Sequence, residues 1–284
     1  MTIDPAALPP ILRLEPVAEA RYRVGNEGDP AVNNVVFGGQ LLAQMIMAAT
    51  AHSDDKSVKT ISAIFARAAR VDADTEISVE TFHAGRAFAS HTVSVWQGDR
   101  LCARGSVLAH VTEADVIAHQ VDRPTATPPD EGRLASDHAV FPGAEYVIAD
   151  DVDLVDSAGT TGPAELSVWY RSRHTPDDPI VNQAVLAWGT DGFLIGTAMR
   201  PHPGVAYDRA HVDLSTGVIS HTLTFHRPFS MHDWLLLSHE APFAGAGRSY
   251  GRCHVHDSGG ALVASYVQDA MIREMPKGQN QRTM

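Results

Sequence analysis

After its first residue, Asp178, the nearly apolar run DPIVNQAVLAWGTDGFLIGTAM to Met199 holds one further carboxylate, Asp191. At helical spacing it shares a stripe with Ala184, Ala187, Trp188 and Ile195, the side a helix would turn toward a core. A bare carboxylate in that position costs too much, so it must be paired, hydrogen-bonded or protonated, and those are the conditions under which a carboxylate does acid–base chemistry. The competing reading is a helix end or kink near Gly189 and Gly192 that lets Asp191 reach water. Gln268 is the second residue of this kind. It shares a strand face with Leu262, Ala264 and Tyr266, where its amide either satisfies the sheet or holds a water or a carbonyl together with Asp191.

A third candidate is Val36-Phe37-Gly38-Gly39-Gln40, which opens the apolar stretch LLAQMIMAATAH. Two glycines permit close backbone approach and leave N–H groups free at a helix start, a place for a ligand oxygen or a developing oxyanion. A tight packing turn is the simpler account. His221 and His226 flank the strand before Arg227-Pro228-Phe229 and are ligand-contacting candidates or ordinary strand residues. Two other motifs carry less. Gly247-Arg248-Ser249-Tyr250-Gly251 has the letters of a nucleophile elbow, but an alternating strand follows it and no acid-then-histidine order lies downstream. His254 and His256 share a strand face without a third metal-ligating partner at suitable spacing, which favours a solvated face. No Walker loop, Cys-x-x-Cys or dinucleotide fingerprint occurs.

These residues need elements to hold them. Asp178 followed by Pro179 is a good helix start, an acceptor at the cap and a proline where its missing N–H costs nothing. Gln40 and Gln44 lie one turn apart on the other apolar helix. From Val58 to Val111 the period changes to two, and four strands in a meander are expected. Proline, aspartate and serine then mark a linker with one short strand. After it the order of strand, buried helix and four strands returns. Phe65 and Arg67 match Phe225 and Arg227, Gly85-Arg86-Ala-Phe88 matches Gly247-Arg248-Ser-Tyr250, and Leu101 and Ala103 match Leu262 and Ala264, all at offsets of about 160 residues. The expected architecture is α+β, two copies of a helix on an antiparallel sheet. The expected bounds are 1–115 for the first unit, 116–162 for the linker and 163–284 for the second.

The chain has 284 residues, is 44% apolar and carries a formal charge of −12. That charge argues against nonspecific nucleic-acid or anionic-membrane partners, while a few arginines can still meet phosphate locally. Only Lys56, Lys59 and Lys277 are lysines, a bias that fits genome composition. No apolar run approaches the roughly 18 residues of a membrane span, and the first residues lack a signal-peptide pattern. Cys102 and Cys253 are the only cysteines, so a reducing cytoplasm is the expected compartment.

The motifs Val-Phe-Gly-Gly-Gln at 36–40, Phe-x-Arg at 65–67, Gly-Arg-x-Phe at 85–88, Pro-Asp-Asp-Pro at 176–179, Arg-Pro-His at 200–202, Phe-His-Arg-Pro-Phe at 225–229, Asp-Trp-Leu-Leu at 233–236 and Leu-Val-Ala-Ser at 262–265 with Gln268 occur together. In this the sequence resembles the acyl-CoA thioesterase II (TesB-like) family of double-hotdog proteins. The resemblance implies a double hotdog, acyl-CoA as substrate, no metal or organic cofactor, and a homo-oligomer. It also implies an aspartate, a hydroxyl residue and a glutamine that orient an attacking water, with Asp191 and Gln268 in the first and third roles. For substrate binding the residues to examine are Gly38, Gly39, Gln40, His221 and Arg227. At the hydroxyl position this chain has Val218, which neither donates nor accepts. Ser220, two residues on, is the expected replacement on the same strand face. A second reading, motivated by Val218, is an acyl-CoA binding or sensing protein with a degraded site. Hydratase chemistry would need an aspartate–histidine pair that the sequence does not offer.

Overall fold

The period-two segments become strands, and all of them join a single antiparallel sheet. In the computed structural model, residues 5–31, 33–130, 134 and 141–275 are described. The first half holds β1 (Glu15–Ala18), β2 (Arg21–Val24), helix α1 (Gly38–Thr50), β3 (Ser57–Phe65), β4 (Thr75–Ala84), β5 (Phe88–Gln97) and β6 (Arg100–His110). The second holds β7 (Glu145–Ile148), β8 (Glu165–Arg171), helices α2 (Pro179–Gly189) and α3 (Leu194–Met199), β9 (Leu214–Phe225), β10 (Leu235–Gly245), β11 (Arg248–His256) and β12 (Leu262–Glu274). Their order across the sheet is β1-β2-β4-β5-β6-β3-β9-β12-β11-β10-β8-β7. Read outward from the β3–β9 seam, each half presents its strands in the same succession.

The expected meander holds for β4, β5 and β6 only. β3 pairs with β6 on one edge and with β9 on the other, not with β4. This central position satisfies the backbone on both edges of β3 and buries Val58, Ile61 and Ala63. Side chains tie the seam: Thr60 meets Thr224 at 3.2 Å, and Ser62 meets Thr222 at 2.8 Å. The Gln183 amide on α2 brackets Val58, accepting from its N–H at 3.1 Å and donating to its carbonyl at 2.7 Å.

α1 and α2 are buried on nearly every side, as helices apolar all round must be, and they pack against each other. Asp178 caps α2, accepting from Ile180 N–H at 2.8 Å and Val181 N–H at 3.4 Å. The run from Asp178 to Met199 is not one helix. It stops at Gly189 and restarts at Leu194, so Asp191 sits in the break. Part of the linker covers the outer sheet face: the Trp169 indole donates to Thr127 O, and Ala126 and Trp234 close over Val147, Ala149, Trp169 and Leu236.

Candidate active site

The break between α2 and α3 puts Asp191 against the start of α1. No side chain local to α1 caps it; Phe37 holds that place without a side-chain hydrogen bond. The cap comes from the other half of the chain. The Gly39 N–H donates to Asp191 Oδ2 at 3.1 Å, and the Gly38 N–H also faces the carboxylate. Both glycines are required by this approach. A Cβ on Gly39 would lie 2.1 Å from the Trp188 carbonyl oxygen, and one on Gly38 would lie 2.7 Å from Asp191 Oδ2.

The other carboxylate oxygen, Oδ1, accepts from Gln268 Nε2 at 2.9 Å. β12 supplies Gln268 and β9 supplies His221, which pair in register and both face the helices. His221 Nδ1 lies 3.3 Å from Gln268 Nε2, and His221 Nε2 lies 3.0 Å from Thr190 Oγ1. Gln268 Oε1 is buried and has no hydrogen-bond partner among the described residues. Asp191 is only 7% exposed. Burial raises its pKa to about 7; the hydrogen bonds from Gly39, Gln268 and Gly38 pull it the other way and do not win. Burial also pushes His221 down to about 3, so its ring is neutral at physiological pH. The result is a dry carboxylate that titrates near neutrality beside an unsatisfied amide oxygen, the arrangement a water-activating base needs.

Residues 27–110 match the family model described as acyl-CoA thioesterase N-terminal domain, and residues 120–272 match the acyl-CoA thioesterase C-terminal domain. The chain belongs to the acyl-CoA thioesterase family. A relative, acyl-coenzyme A thioesterase 8 of Rattus norvegicus, is 26% identical over 94% of this chain and 89% of its own length. Among solved structures, acyl-CoA thioesterase II TesB2 from Mycobacterium marinum superposes with a TM-score of 0.77 at 26% identity, covering 95% of this chain and 98% of that one. A protein with a hot dog fold from Alicyclobacillus acidocaldarius superposes with a TM-score of 0.76 at 17% identity, over 94% and 97% of the two chains. The fold is a hotdog.

Within this thioesterase, the structure gathers Asp191, Gln268, Gly38, Gly39 and His221 and leaves three other expected site residues outside. Ser220 does not share a face with Val218. Asp269 pairs with Ser220 but Ala270 pairs with Val218, so Ile219 is an extra residue, a β-bulge that resets the alternation. Val218 faces α3, packed near Ile195, Met199 and Ala270, whereas Ser220 points to the outer face and donates to Asp269 at 2.8 Å. Arg227 is exposed two residues beyond the end of β9. It lies toward the start of α2, where Phe229 O meets Asn182, at the far end from Asp191. Gln40 is fully buried and already engaged, accepting from Glu27 N–H and donating to Asn26.

Two expectations about roles change as well. The Gly39 N–H, a candidate oxyanion donor, is committed to the Asp191 carboxylate. His221 is fully buried, within hydrogen-bonding distance of Gln268 and Thr190. Sequence reasoning missed Thr190, fully buried beside His221; its signal was a hydroxyl next to Asp191 at the end of an apolar helix. The decoy motifs resolve into structure. Gly247 takes the positive φ of +72° in the β10–β11 turn, and a Cβ on Gly251 would meet Leu194 at 2.6 Å. His254 bonds Ser265 and His256 lies by the Val121 carbonyl; among the described residues no three metal-ligating side chains converge.

Proposed function

We propose that this protein hydrolyses the thioester of fatty acyl-CoA to free acid and CoA, with Asp191 as general base and Gln268 holding the water. The observation that carries this reading is the pairing of a buried, near-neutral carboxylate with the unpartnered Gln268 Oε1. A water between them donates one proton to Asp191 while its oxygen attacks the thioester carbon. The tetrahedral intermediate then collapses, the C–S bond breaks, and the proton on Asp191 passes to the departing CoA sulfur. Every group returns to its starting state, and neither a metal nor an organic cofactor is called for.

The finer architecture is read as a double hotdog, units 1–115 and 163–284 joined by 116–162, which the mirrored strand order supports. The compartment is read as the reducing cytoplasm, in line with Cys102 and Cys253 both buried as free thiols. A homo-oligomer is proposed from the family resemblance.

The test is thiol release from short-, medium- and long-chain acyl-CoAs by wild type and Asp191→Asn. The expected outcome is wild-type turnover on at least one chain length and a loss of at least a hundredfold in Asp191→Asn. Binding of acyl-CoA with no turnover on any chain length would replace this reading with the sensing protein that Val218 suggests.

A further inference from the structure

We infer that His221, held by Thr190, is a positioning residue that fixes which way round the Gln268 carboxamide sits, so that Oε1 rather than Nε2 meets the reacting water. This rests on the assignment of Asp191 and Gln268 above. The argument follows the protons. Thr190 Oγ1 is 2.7 Å from the Ala187 carbonyl oxygen, which can only accept, so the single hydroxyl proton points there. The contact at 3.0 Å between Thr190 Oγ1 and His221 Nε2 then requires the ring nitrogen to donate.

A neutral imidazole with its proton on Nε2 has a lone pair on Nδ1. That lone pair faces the Gln268 nitrogen at 3.3 Å, and Asp191 Oδ1 faces the same nitrogen at 2.9 Å. Both amide protons therefore have acceptors. Turned over, the amide would set its oxygen against a lone pair and a carboxylate and lose both hydrogen bonds. The ring itself is braced on a second side, stacked on Tyr266 with centroids 5.3 Å apart. The Tyr266 hydroxyl lies 2.6 Å from His239 Nε2, and His239 Nδ1 lies 3.1 Å from the Leu166 carbonyl. His239 must donate to that carbonyl, so its Nε2 accepts from Tyr266. Val218 offers no hydrogen bond on this face, and Thr190 and His221 supply the orientation from the helix end.

The test is a double-mutant cycle on acyl-CoA hydrolysis. Thr190→Val and His221→Phe each lower kcat about tenfold or more with KM changed less than twofold. Thr190→Ser, which keeps the hydroxyl, recovers most of the loss. Introduced into Gln268→Ala, neither substitution lowers kcat further, because the amide through which they act is gone. Equal losses in the wild-type and Gln268→Ala backgrounds would overturn the inference, as would wild-type kcat in both single variants. Should His221→Phe not fold, by circular dichroism, Thr190→Val with its Ser partner carries the cycle. Full activity in Gln268→Ala would instead overturn the water-activating assignment, so the two failures read differently.

Discussion

The Asp191 carboxylate binds its proton more tightly in the folded protein than in the unfolded chain, because burial outweighs three hydrogen bonds. As a base it works only when ionised, so kcat/KM is expected to rise with pH and level off above about 7. A pH–rate profile checks this, and a flat profile from pH 5 to 8 would contradict it. The same titration affects stability. With a folded value of about 7 against the ordinary 3.8, the stabilising contribution is complete below about pH 4 and is lost as pH rises through 7. A gap of about three pH units corresponds to roughly 4 kcal/mol. Asp191→Asn is thus expected to unfold at higher denaturant than wild type at pH 8, with the advantage shrinking toward pH 4. Ionisation is required for the chemistry, and the fold bears its cost.

At the scale of elements, two local geometries decide which side chains reach the site. The close approach of α1 to α2 is one. In Gly39→Ala the new methyl would overlap the Trp188 carbonyl, so α1 must back away from α2 and draw its N–H off Asp191. A stability loss of about 1–3 kcal/mol in urea unfolding, together with a fall in thiol release, is expected. An unchanged midpoint would show that the helix start yields easily. The bulge at Ile219 is the other. It turns Ser220 outward to Asp269, so Ser220→Ala should leave hydrolysis within about twofold of wild type and change stability by less than about 1 kcal/mol. A tenfold loss of kcat would mean that the outward serine contributes to the chemistry after all.

Among the described residues all strands form one sheet, and the candidate site belongs to neither half alone. Gly39 comes from the first half, Asp191, His221 and Gln268 from the second, and α2 reaches back to Val58. The largest buried cluster contains Leu41, Leu42 and Ile61 together with Leu186, Leu223 and Tyr266. Halves that share a core and a sheet seam should unfold together. Circular dichroism and tryptophan fluorescence, which reports on Trp96 in one half and Trp169, Trp188 and Trp234 in the other, are expected to give one coincident transition. Two separated transitions would show that the β3–β9 seam is weaker than its hydrogen bonds suggest.

Sequence alone determined the strands, because alternation over β3 to β6 and β9 to β12 is a local property of side chains. It also marked the helix of α1, the start of α2 with its cap at Asp178, and Asp191 and Gln268 as candidates, while leaving open a break near Gly189 and a purely structural role for Gln268. Only the tertiary structure decided the sheet order, since a period of two says where strands are but not which edges meet. The direction of Ser220 was likewise hidden, because a single extra residue at Ile219 reverses faces without changing composition. Thr190 and His221 gained their meaning from neighbours 31 residues apart in sequence and 3.0 Å apart in space. Burial removes water from Thr190 and His221 and leaves them each other.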